Sequence, residues 1–255
     1  MKKYILGLSG LIAIIIFLTS TSLTTKKLEQ EQVKVPIAMP IDSVYDQYVN
    51  TLYNAVHLKE AGLSRSTFEK ALTGFYNLKK AGQLSQKSIL TIADFDQLST
   101  QKRLYIIDLD KKEILLNTWV AHGQRSGKDE AINFSNKNDS YTSSLGFYVT
   151  GEVYKGMHGK SLKLDGMDDG FNNNARSRSI VVHGAPYVSK GTINALGRLG
   201  RSQGCPAVAP EVADKVINTI EDKTVLFINK SQESYNSKYL DYTLAANFAL
   251  EHTTD

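Results

Sequence analysis

From residue 88 onward the apolar side chains change their spacing, and that change limits what the chain can fold into. Before it the spacing is helical. Ile41, Tyr45, Tyr48, Leu52 and Val56 form one stripe, and Phe68, Ala71, Leu72, Phe75 and Leu78 form a second. Gly62 and Gly82 follow the two stripes as stops, and Ser66 to Glu69 has capping-box spacing at the start of the second. Beyond residue 88 the apolar runs are short. Ser88 to Phe95 reads as a strand, and Lys102–Asp108 and Glu113–Val120 read as a hairpin joined by a turn at 108–112. Residues 121–178 are rich in Gly, Ser and Asn, with short strand candidates at Gly146–Thr150 and Ser161–Leu164. A buried strand at Ile180–Val182 follows. Then come a helix at Pro210–Ile220, with proline at its start, and a last strand at Lys223–Asn229.

These elements predict an α+β protein: a mainly β domain over 88–230, preceded by a small helical section over 42–87. The remaining segments are 1–22, a linker over 23–41 that carries Pro36 and Pro40, and a polar C-terminal tail over 231–255 with a weak helix pattern from Tyr239 to Leu250. With one cysteine in 255 residues there is no internal disulfide, so stability must come from the core.

The N-terminus reads Met1-Lys-Lys, an apolar run from Tyr4 to Leu18, then Thr and Ser. That is the layout of a secretory signal peptide, and the run is short for a spanning helix, which needs about 20 residues. It has no clean cleavage site, so an uncleaved inner-membrane tether remains the alternative. Either way the chain is expected to be exported, to a periplasm or cell envelope. The net charge of +4 is mild and falls to +2 without Lys2 and Lys3, and the basic residues are dispersed. This balance argues against a nucleic-acid partner.

The chemistry concentrates in Ser179-Ile-Val-Val-His183-Gly184-Ala and Gly200-Arg-Ser202-Gln-Gly204-Cys205-Pro. A thiol needs a base to become a nucleophile, and imidazole is the usual one. Gly204 and Pro206 suit a tight turn rather than a core. A free thiol has a pKa of about 8.5 and an imidazole about 6.5. His183 would therefore either take the Cys205 proton or hold it as a thiolate–imidazolium pair. His122-Gly123, His158-Gly159 and His183 match no short-range zinc spacing, and no metal is expected.

His183-Gly184 followed by Ser202-x-Gly204-Cys205 resembles the signature of the murein L,D-transpeptidases, the YkuD-type catalytic domain. Ser143-Ser-Leu-Gly146, Gly159-Lys-Ser-Leu-Lys163 and Cys205-Pro-Ala-Val208 resemble its Cys-Pro-Ala-Val branch. The resemblance covers roughly 88–230. It implies a β-sandwich, an acyl-enzyme on Cys205, peptidoglycan stem peptides as substrate and no cofactor. It further implies that a carbonyl near Gly184 orients the His183 ring. The amides of Gly204 and Cys205 would form an oxyanion hole, and Ser202 would hold the turn. Tyr154 and Tyr187 are candidates to roof the donor peptide, and His122 is a candidate substrate contact. Many family members have Arg two residues after the cysteine. This chain has Ala207 there, which makes Arg201, or failing it Arg198, the candidate for gripping a stem-peptide carboxylate. Three outcomes follow for the site: transfer to an amine, hydrolysis as an L,D-carboxypeptidase or endopeptidase, or a non-catalytic wall-binding module.

Overall fold

The computed structural model describes residues 41–232 and 234–252, which belong to one compact unit starting at Met39. The expected leader and most of the linker lie outside the described residues. Among the described residues no helix is long and apolar enough to cross a membrane.

Eight strands form one sheet: β1 (Ile89–Asp94), β2 (Leu104–Asp108), β3 (Glu113–Thr118), β4 (Gly146–Gly156), β5 (Gly159–Gly166), β6 (Val181–Gly184), β7 (Ala207–Val208) and β8 (Val225–Asn229). Their order is β3-β2-β1-β8-β4-β5-β6-β7. β8, the last strand in the chain, therefore lies in the middle. It runs parallel to β1 and antiparallel to β4.

Along β1, β2, β8 and the first half of β4 the side chains alternate between the two faces, as period 2 requires. Leu90 and Ile92, Tyr105 and Ile107, Phe147 and Val149, and Val225 and Phe227 face one core. That core is completed by helices α1 (Ile41–Ala55), α2 (Arg65–Lys80) and α5 (Tyr242–His252). Ala93, Leu104, Ile106, Leu162, Val182, Val208, Leu226 and Ile228 face the other, around α4 (Pro210–Ile220). Strands from both ends of the sheet thus share the second core. The ends also meet directly, since Ala121 N donates to Ala207 O at 2.8 Å. The expected sandwich is realised as a single sheet curled over its own core.

The helical section is packed onto this sheet. Glycine inside a helix costs about 1 kcal/mol relative to alanine, yet Gly74 sits mid-α2. A Cβ there would lie 2.0 Å from Cζ of Phe147, so the β4 ring rests on the helix backbone. Phe147 in turn stacks on Phe227 at 4.3 Å. The N-cap of α2 is Ser64, whose side chain accepts from Thr67 N, rather than Ser66. Ser66 is already inside the first turn. The C-terminal tail is held by buried groups. Asn77 Nδ2 donates to Tyr239 O and Asp241 O, both at 2.8 Å, and Asp168 accepts from Tyr235 and Ser237. The tail helix runs Tyr242–His252, a few residues later than its sequence pattern, and buries Ala245, Ala246 and Ala249.

Candidate active site

β6 delivers His183, and the parallel pair β6–β7 delivers Cys205 next to it. The register sets His183 opposite Ala207, which leaves Cys205 beside Val181. A hydrogen bond from Val181 N to Cys205 Sγ at 3.5 Å marks that level, and the thiol donates to Ser179 O at 3.7 Å. Cys205 and His183 line one groove of about 760 Å³. Tyr187, Arg201, Ser202 and Gln203 line it too, as do Arg178 and Ser179.

His183 is buried, and its Nδ1–H donates to Gly184 O at 2.9 Å. That bond puts the proton on Nδ1 and leaves Nε2 as the basic nitrogen. The tip of the β4–β5 hairpin reaches the same place. The His158 ring stacks on His183 at 4.3 Å, with the planes 22° apart. Burial pushes the His183 pKa down, the Gly184 bond opposes this, and the neighbouring His158 adds to it. Burial pushes the Cys205 thiol up, against the Val181 amide and the Arg178 charge. Both shifts favour neutral partners. These directions favour thiol and imidazole over thiolate and imidazolium.

The cysteine turn is tied by side chains. Ser202 Oγ donates to Cys205 O at 2.6 Å and accepts from Gly204 N at 3.0 Å. Gly204 has φ +125, and a Cβ on it would stand 2.7 Å from Thr142 O, so only glycine fits. The same hydrogen bonds correct one expectation. With its amide held by Ser202, Gly204 is no donor for an oxyanion, and the Cys205 amide is the turn's remaining candidate. Ser202→Ala removes both bonds from a buried turn and is expected to cost about 1–3 kcal/mol, the usual penalty for unpaired buried groups. Thermal unfolding and the rate of Cys205 alkylation check this, and no change in either would show that the turn holds itself.

Arg178 is the site residue that sequence reasoning missed. Its guanidinium donates to Ser135 O at 2.8 Å, Ser144 Oγ at 2.9 Å, Ser140 Oγ at 3.1 Å and Thr142 O at 2.7 Å. It therefore fastens the 135–144 loop, on which Gly204 rests, while placing a positive charge beside the thiol. Its only sequence trace is a basic residue just before the histidine strand.

The other candidates divide. Tyr154 and Tyr187 both line the groove. Burial pushes the Tyr187 pKa up to about 12, so it stays a neutral hydroxyl. Arg201 also lines it, with Nη1 donating to Gln124 O at 3.0 Å and Gly127 O at 2.8 Å. His122 does not reach the groove. It is 1% exposed, with Nδ1 2.7 Å from Arg103 Nη2 and its ring edge against Phe95. Burial first, and then the Arg103 charge, push its pKa down to about 4. Its contribution is through the backbone, because His122 O accepts from Ser202 N at 3.0 Å. Among the described residues no group of three or more His, Cys, Asp or Glu side chains converges in a way that could hold a metal ion.

Among solved structures, the chain is similar to an L,D-transpeptidase from Mycobacterium smegmatis at 12% identity and a TM-score of 0.36. That match covers 56% of this chain and 59% of the other. It is also similar to the helical cell shape determining protein Pgp2 from Campylobacter jejuni at 14% identity and a TM-score of 0.37, covering 70% and 63% of the two chains. The chain thus spans less than two thirds of the length of these structures. No curated protein matches it. The family model described as the L,D-transpeptidase catalytic domain, YkuD_2, matches residues 59–229. That span exceeds half of the chain and includes His183, the Cys205 turn and every strand of the sheet, so the chain belongs to the L,D-transpeptidase catalytic-domain family.

Proposed function

We propose that the protein is a cell-envelope murein L,D-transpeptidase that works through an acyl-enzyme on Cys205. The observation that carries this is the committed His183 tautomer. With Nδ1–H held by Gly184 O, Nε2 is free to accept a proton in a groove that the thiol shares. The Cys205 sulfur attacks the carbonyl of a diamino acid that precedes a terminal D-amino acid. A sulfur–carbon bond forms, the peptide C–N bond breaks, and the thiol proton passes through His183 to the leaving amine. An acceptor amine then attacks the thioester and gives its proton to His183, which returns it to the departing sulfur. The Cys205 amide supports the oxyanion, and the Arg178 charge favours the thiolate as it forms. Arg201 holds a substrate carboxylate at the edge of the groove. Such an enzyme works outside the cytoplasm, where the Met1–Ser22 leader would direct or tether it.

The test is product mass. Incubated with a disaccharide-tetrapeptide, the protein is expected to give a dimer lacking one D-residue and a transient mass increase on Cys205. A monomer lacking one residue would mean that water is the acceptor, and no adduct on Cys205 would overturn the mechanism.

A further inference from the structure

A transferase must hold two chains with their reacting ends at one thiol. The groove over Cys205 is the size of one peptide site. A second groove of about 480 Å³ opens beside it, and Gln124 and Arg201 line both. Arg201 is fixed at this junction by its two bonds to Gln124 O and Gly127 O. The second groove is cationic. Arg125, Lys128 and Arg201 line it, and among the described residues none of the three has a carboxylate at ion-pair distance. Its one acid, Glu130, is already paired with Lys230 at 3.0 Å. Ile132, 54% exposed, gives it an apolar wall. Arg125 lies over the ring of Tyr141 at 5.0 Å, and Tyr141 lines the first groove. Cations left without carboxylate partners beside an apolar wall suit a peptide that bears carboxylates.

Resting on the transpeptidase reading, we infer that this second groove is the acceptor subsite. It takes an amine-bearing stem peptide by its carboxylates through Arg125 and Lys128, and Arg201 marks the boundary with the donor. The amine then meets the thioester from the Arg201 side. Holding the two chains together replaces a bimolecular encounter with an intramolecular one, which favours transfer over capture by water.

The experiment reverses the charges in the full chain, with Arg125→Glu and Lys128→Glu together. The probe is a tetrapeptide stem with a free side-chain amine, and a carboxyl-amidated version serves as control. The acceptor KM is expected to rise about tenfold or more, the scale of one lost charged contact. The ratio of transfer to hydrolysis is expected to fall with it, and transfer is expected to fall more than acylation of Cys205. Binding of the same peptide to Cys205→Ala protein, followed by calorimetry, should weaken with the reversal, with added salt and with amidation. An unchanged acceptor KM, equal binding of the amidated peptide, or a parallel loss of acylation and transfer would each overturn the assignment. If the parent protein only hydrolyses, the transpeptidase reading fails by itself. The calorimetry still decides whether the groove binds the peptide.

Discussion

Cys205→Ala is expected to abolish turnover while leaving the fold in place. Removing a covalent nucleophile from a catalytic unit typically costs on the order of 10⁴–10⁶ in kcat. No second thiol exists to substitute for it. The structural cost is small by comparison. The side chain is half-buried, and its own hydrogen bonds are long sulfur contacts to Ser179 and Val181. The bonds that shape the turn come from Ser202 and from backbone groups, which alanine keeps. Circular dichroism and thermal unfolding should therefore match the parent, with product formation gone. Measurable turnover in the alanine variant would rule out the acyl-enzyme.

His183→Ala carries the second largest effect. Burial and the stacked His158 hold the imidazole below its ordinary range, so it stays neutral and able to accept a proton below pH ~6.5, the free imidazole value. The thiol is shifted the other way by burial, which favours its protonated form. Deleting the base should slow acylation by several orders of magnitude, as loss of a catalytic triad member does. It should also slow alkylation of Cys205 by a small neutral reagent. Raising the pH should restore alkylation in the variant, since hydroxide then makes the thiolate. In the parent, the acid limb of kcat/KM should lie below pH ~6.5. Equal alkylation of parent and variant across the pH range would show that His183 does not activate the thiol.

Much of this was legible in the residues. The β2–β3 hairpin follows from alternation on either side of the turn after Asp108, and the strand into His183 from its unbroken apolar run. Other parts left no pattern to read. The short helix α3 (Lys190–Leu196) has no buried residue, so no apolar stripe announces it. β4 runs on past Thr150 because its far end pairs with β5 across a bulge in a projecting hairpin, where burial no longer imposes alternation. The role of Arg178 depends on carbonyls and hydroxyls at 135–144, distant in sequence. The Gly204 amide looked free because nothing in a Ser-x-Gly-Cys string says that the serine oxygen already occupies it. The burial of His122 is set by Arg103, on the far side of a hairpin.

The position of β8 bears on how the two halves of the sheet are held together. Without residues 225–229 the strands β3-β2-β1 and β4-β5-β6-β7 are two ribbons that meet at the bridges Ala121–Ala207 and Gly123–Ser202. The two-residue strand after Cys205 is gripped on one edge by the second ribbon, through β6, and on the other by Ala121, which follows the first. The last strand therefore clasps on one side the same two ribbons that the strand after Cys205 joins on the other. The shape of the cysteine turn thus rests in part on a strand distant from it in the sheet.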